Sequence, residues 1–184
     1  MIFTPTPLPG VFMIDIEAHG DERGFFARTV CEQAFSDAGL QGRFVQQSVS
    51  WNPAAGTLRG LHFQAPPHAE HKLVRVTRGT IFDVVVDLRP TSPASGRWHA
   101  VELSASNHRQ LYIPPGVAHG FQTLLADTEV FYEMSTPYHG AAARGLRWDD
   151  PVLQIEWPAC RERRISQQDR CWPDMAGSLT TSLF

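Results

Sequence analysis

Residues 56–79 read GTLRGLHFQAPPHAEHKLVRVTRG. Two runs in this stretch, 57–64 and 72–79, alternate like β-strands with one face in a core, and a proline-rich loop separates them. Both runs also carry arginine, histidine or lysine, groups that are costly to bury unless they are paired. In the first run, strict alternation puts Thr57, Arg59, Leu61 and Phe63 on one face and Leu58, Gly60, His62 and Gln64 on the other. Arg59 and His62 then share a face only if Gly60 marks a bulge. In the second run Lys72 falls in line with Val74 and Val76, which places an ammonium beside two β-branched core residues.

The same texture extends along the chain. VFMIDIEA (11–18), RFVQQSVSW (43–51), TIFDVVVDL (80–88), RWHAVELS (97–104), RQLYIPPG (109–116), AHGFQTLLA (118–126) and TEVFYEMST (128–136) are short β-rich runs bounded by turn residues. With the two opening runs they make about nine strands in succession, the signature of a sandwich or barrel. Helical periodicity is confined to VCEQAFSDAGL (30–40), which Gly39 can end, and SQQDR (166–170), which Ser166 can cap. The chain therefore reads as all-β with peripheral helices.

Size and composition narrow the function classes. The 184 residues suit one domain over 1–184, and no repeat or linker divides them. Hydrophobic residues are 42%, charged residues 19% and the formal net charge is -3, a balance that favours neither nucleic acid nor a disordered acidic chain. With no membrane-length apolar run and no leader-like N-terminus, a cytoplasmic location is expected. Cys31, Cys160 and Cys171 are too scattered for a disulfide framework and read as reduced.

The candidate chemistry sits on the strands. A tight IPPG turn delivers His119 at the start of an apolar run, and Tyr132 alternates with Val130 toward the same interior. Three readings fit. In the first, histidines on neighbouring strands hold a metal, and PPGVAH is similar to the second metal motif of the cupin barrels. Thr123 stands where that motif has asparagine, however, the close histidine pair of the first motif is missing after His62, and Lys72 would repel a cation. In the second, proton transfer proceeds without a metal, with His62 as base, Lys72 opposite developing negative charge and Tyr132 as acid. In the third, a non-catalytic sugar- or nucleotide-binding barrel uses the same groups as hydrogen-bond donors.

Taken together, DERGFFAR (21–28), GTLRGLHFQ (56–64), HKLVRVTRGTIFDVVVDLRPTSP (71–93), LYIPPGVAHGFQTL (111–124), FYEMSTPY (131–138) and RGLRWDDPVLQIEWP (144–158) resemble the dTDP-4-dehydrorhamnose 3,5-epimerases of deoxysugar biosynthesis. The resemblance spans about residues 3–175, with the motifs in order. It implies a cupin-like β-jelly roll (double-stranded β-helix), a homodimer, no metal and no organic cofactor. It also implies inversion of carbons 3 and 5 beside the ketone of a nucleotide 4-keto-6-deoxyglucose, through enolates at oxygen 4.

Carried over residue by residue, His62 resembles the base and Asp169 the carboxylate that orients it. Lys72 resembles the enolate-stabilising cation and Tyr132 the acid, with His119 lining the same pocket. Arg59 and Arg23 resemble diphosphate ligands, Gln46 a nucleotide contact, and Phe26 and Tyr138 stacking or sugar-pocket residues. In the family, Arg23 and Phe26 reach across the dimer. The chain departs from the family at nucleotide-facing positions: Arg28 and Ser48 stand where glutamate and asparagine are common. YHGAAARGLRW lacks the family's acidic residue, and Gln168 replaces a lysine. These departures leave open another nucleotide (CDP or GDP) and the inversion of a single carbon. His68 and His71 are assigned no role.

Overall fold

The computed structural model describes residues 1–175; residues 176–184 of the expected domain lie outside them. The strands are β1 (Ile2–Pro5), β2 (Phe12–Asp15), β3 (Ala18–Asp21), β4 (Gly24–Ala27), β5 (Gln46–Asn52), β6 (Thr57–Gln64) and β7 (Lys72–Arg78). They continue with β8 (Thr80–Asp87), β9 (Trp98–Ser104), β10 (Gln110–Ile113), β11 (Val117–Thr123), β12 (Thr128–Met134), β13 (Ala143–Gly145) and β14 (Arg164–Ile165). One sheet runs β1-β2-β10-β7-β12-β5, the other β13-β6-β11-β8-β9 with β14 beside β6, and β3 and β4 form a separate hairpin. The two large sheets face each other as a cupin-like β-jelly roll with short peripheral helices.

The nine expected runs all contain strands. The two helices are shorter than their periodicity suggests: α1 is Glu32–Asp37 and α2 is Gln167–Arg170. Gly39, at a φ of 72°, follows α1, and Ser166 caps α2 by accepting the Asp169 N–H at 3.0 Å. The sequence reading omits β1, the β3–β4 hairpin, β13 and β14, which are two to four residues long and too short for alternation to register.

Apolar residues fill three layers. Between the sheets, Val74, Val76, Leu111, Ile113 and Val130 from the first meet Ile81, Val85, Val117 and Phe121 from the second. The outer face of the second sheet places Leu61, Phe63, Val84 and Val86 under Leu146 and Leu153. On the outer face of the first, Leu73, Tyr112 and Ile14 pack against Phe35 of α1. Each fully buried aliphatic or aromatic side chain of this kind contributes about 1.5–3 kcal/mol relative to exposure.

The bulge at Gly60 is present. On β11, His119 pairs with His62 and Phe121 with Arg59, so two steps on one strand span three on the other. Arg59 and His62 therefore both face the inter-sheet space, while Leu61 and Phe63 turn outward to their own layer. Gly60 has a φ of 136°, and a Cβ there would sit 2.5 Å from the Gly120 Cα, so the register shift needs glycine at this point.

Candidate active site

A cavity of about 290 Å³ opens between the sheets at one end of β6 and β7. Its walls include His62 and Gln64 from β6, Lys72 from β7, Tyr132 and Met134 from β12, and Tyr138, Arg144, Gln168 and Trp172 from the connecting segments. The ladder explains the convergence on one side: Tyr132 pairs with Val74 and Ser48, and Met134 pairs with Lys72 and Gln46, so all these side chains share the inward face of the first sheet. His62 approaches from the opposite sheet.

His62 Nε2 lies 2.6 Å from Asp169 Oδ1 although 107 residues separate them. Helix α2 brings the carboxylate in, with the Ser166 cap fixing the backbone and Trp172 Nε1 donating to the same oxygen at 3.3 Å. The Trp172 ring stands edge-on to His62 at 6.2 Å and fits because residue 145 is glycine: a Cβ there would meet the indole at 2.6 Å. Burial pushes the Asp169 carboxyl up, but hydrogen bonding and charge from His62, with Ser166 and Trp172, outweigh it and hold the group below its usual range. A histidine 42% exposed to the cavity, backed by a buried carboxylate, has the geometry of a general base.

Lys72 is only 13% exposed, although it stands at the first position of β7. Its ammonium lies 3.0 Å from a Glu70 carboxylate oxygen and donates to the His62 carbonyl at 3.2 Å. Burial drives the Tyr132 phenol far above the usual tyrosine range, with the charge of Asp83 adding to the effect and that of Arg59 opposing it. Tyr132 is thus a neutral O–H donor facing the cavity from the sheet opposite His62.

His119 sits directly across the ladder from His62, and its Nε2 is 2.7 Å from Asp83 Oδ1. Asp83 is fully buried, its second oxygen lacks a hydrogen-bond partner among the described residues, and burial raises its carboxyl against the opposing pull of His119 and Lys72. Arg59 is aimed by Asn52, whose side-chain oxygen accepts from Nε at 2.8 Å. The Gln46 side chain accepts the Tyr138 N–H at 2.7 Å and so ties the rim loop to β5. Ser48 is exposed on the same strand.

Three expected residues stand apart from this group. Arg23 and Phe26 project from the β3–β4 hairpin, with Arg23 paired to Asp21 and Phe26 74% exposed, and Arg28 follows them on the surface. None of the three lines the cavity, and neither do Gln46, Ser48, Arg59, Asp169 or His119, although His119 was expected to. His68 and His71 now have surroundings: His68 stacks on His139 at 3.9 Å, and the His71 N–H donates to Ser135 Oγ. Among the described residues no three His, Cys, Asp or Glu side chains converge as a metal site.

Four further residues bear on the site without a role expected from sequence: Glu70, Asp83, Gln64 and Trp172. Asp83, a carboxylate within the β-branched run TIFDVVVDL, carried a readable signal, because an unpaired charge there is costly. Trp172 carried none.

The match to known proteins agrees with this geometry. The model of the dTDP-4-dehydrorhamnose 3,5-epimerase family matches residues 5–177. The chain belongs to that family. A dTDP-4-dehydrorhamnose 3,5-epimerase of Sinorhizobium fredii is 43% identical over 179 residues, covering 95% of this chain and 90% of that protein. Among solved structures, the dTDP-4-dehydrorhamnose 3,5-epimerase of Bacillus anthracis with TDP and PPi bound superposes with a TM-score of 0.91 at 40% identity. It covers 95% of this chain and 99% of that one. The Legionella pneumophila family member, solved with dTDP-4-keto-L-rhamnose, gives 0.89 at 36% identity, covering 94% and 92%. Gln168, and Ala143 with Arg144 from the YHGAAARGLRW segment, line the cavity.

Proposed function

We propose that this jelly-roll domain is an isomerase that inverts carbons 3 and 5 of dTDP-4-dehydro-6-deoxy-D-glucose, giving dTDP-4-dehydro-L-rhamnose. The observation that carries the reading is the pair of opposed groups: a carboxylate-backed His62 on one sheet and a neutral, half-buried Tyr132 on the other, with the Lys72 ammonium in the wall of the same cavity. A proton beside the ketone is acidic only because the resulting charge moves onto oxygen 4 as an enolate. His62 takes that proton, and Asp169 stabilises the imidazolium that forms. Lys72 stabilises the enolate oxygen, where one fixed donor contributes on the order of 3 kcal/mol. Tyr132 returns a proton from the opposite face, which inverts the carbon.

The cavity is near the lower end of the usual range for small-molecule sites, room for a hexose ring with the nucleotide running out along the rim. Arg59 and a partner protomer's copy of the hairpin residues Arg23 and Phe26 supply the diphosphate and base contacts, with Gln46, Ser48, Arg28, Tyr138 and His119 completing the site. This assigns the exposed hairpin a use in a homodimer. The substrate is a nucleotide sugar, no cofactor takes part, and the enzyme works in the cytoplasm.

The test is solvent exchange. In heavy water, deuterium enters carbons 3 and 5 of the dTDP-4-ketosugar, followed by NMR. If no nucleotide 4-ketosugar takes up deuterium at either carbon, the chain is a binding barrel and the proposal fails.

A further inference from the structure

Lys72 is the only lysine among the 184 residues; every other Lys/Arg position is arginine. Its ammonium has three N–H donors. The ammonium is ion-paired with Glu70 Oε1 at 3.0 Å and donates to the His62 carbonyl at 3.2 Å, at the wall of the cavity. Glu70 is itself a cavity-wall residue with its side chain 4% exposed. Its second oxygen accepts the Gln64 amide at 2.8 Å. Gln64 in turn accepts the His139 N–H at 2.5 Å and donates toward the Pro137 carbonyl, the two residues flanking Tyr138.

We infer that Glu70 is a positioning residue: it fixes the direction of the Lys72 ammonium and, through Gln64, ties that direction to the loop carrying Tyr138. A lysine on a four-carbon stem is otherwise free to rotate its donors, and burying it unpaired is costly. With a carboxylate and a carbonyl at fixed places, the ammonium is held at the cavity wall before any substrate arrives. The enolate then meets a donor that needs no reorganisation. Because misplacement of about 1 Å can cost on the order of 10²-fold in rate, a residue that never touches the sugar can control the step.

The inference rests in part on the epimerase reading, so the test has one arm that does not. In protein labelled with ¹⁵N-lysine, the single lysine gives a single ammonium cross-peak. In wild type this peak persists, because the ion pair slows exchange with water; in Glu70→Gln it is lost under the same conditions. The absence of a wild-type peak, or equal persistence in the variant, overturns the inference whatever the enzyme does.

The second arm measures deuterium wash-in with the dTDP-4-ketosugar. Glu70→Gln lowers the exchange rate by about 10- to 100-fold while the Kd for dTDP stays within about twofold. In a Lys72→Met background the same substitution has no further effect. An undiminished rate in Glu70→Gln, or the same fold-loss with Lys72 already removed, contradicts the role. Absence of wild-type exchange with every 4-ketosugar counts against the epimerase reading alone.

Discussion

Replacing Asp169 by asparagine isolates the charge behind His62. The side chain keeps its size, and its amide oxygen can still accept from His62 and from Trp172, so the helix cap at Ser166 and the packing of the indole survive. What is lost is attraction for the imidazolium. With charge centres roughly 4 Å apart and an effective dielectric of about 20, that attraction is about 4 kcal/mol when the proton sits fully on His62. At a transition state with the proton about half transferred, about 2 kcal/mol remains, roughly 30-fold in rate. His62 is 42% exposed, so water screens part of the effect and about 10- to 30-fold is the expected loss. If the amide turns its NH₂ toward His62, the wrong tautomer is selected and the loss grows toward ~10⁴-fold.

The assay is single-turnover deuterium wash-in by NMR, alongside calorimetric dTDP binding. A rate within twofold of wild type, or a loss that appears equally in binding, refutes the role given to Asp169. Stability supplies an independent check. The carboxyl is held below 3.8 in the folded protein. It therefore adds stability that is fully present above that value and fades as the pH falls through the folded value. The difference in Tm between wild type and Asp169→Asn accordingly closes in acid; a gap that widens below about pH 4 contradicts the sign.

Two further substitutions probe the other elements. Tyr132→Phe removes the cavity-facing donor but leaves the base, so deuterium still exchanges while net inversion falls by about 10²-fold; parallel loss of both, followed in one NMR time course, removes Tyr132 from the acid role. Gly60→Ala forces a Cβ to 2.5 Å from Gly120 at a φ of 136°. It costs at least about 2 kcal/mol, read by thermal melting as a drop of roughly 5 °C or more, and an unchanged Tm shows that the bulge tolerates a side chain.

The strands were legible because alternation between two core-facing sheets is a strong pattern, and TLRGLHFQ and KLVRVTRG displayed it even with charges in place. Lys72 in line with Val74 and Val76 was legible for the same reason, since the β7 ladder runs without a bulge from Lys72 to Val76. Arg59 and His62 were only half legible: a glycine permits a bulge, and the pairing with β11 decides that one forms. The Asp169–His62 contact crosses 107 residues, and no local pattern reports it; only the family resemblance pointed there. Glu70 lies two residues from Lys72 but outside β7, so alternation gave it no direction. The hairpin bearing Arg23 and Phe26 shows the limit from the other side, because these residues, assigned to the site, lie on the surface apart from the cavity lining.

The solitary lysine also makes the protein unusually easy to address by chemistry. Reductive alkylation is selective for amines and passes over guanidinium and thiol groups, so apart from an N-terminal amine it finds one target, in the wall of the cavity. The rate of that labelling reads occupancy of the site directly, without a chromophore, a coupled enzyme or a mutation. Ligands could be ranked by how well they shield a single nitrogen.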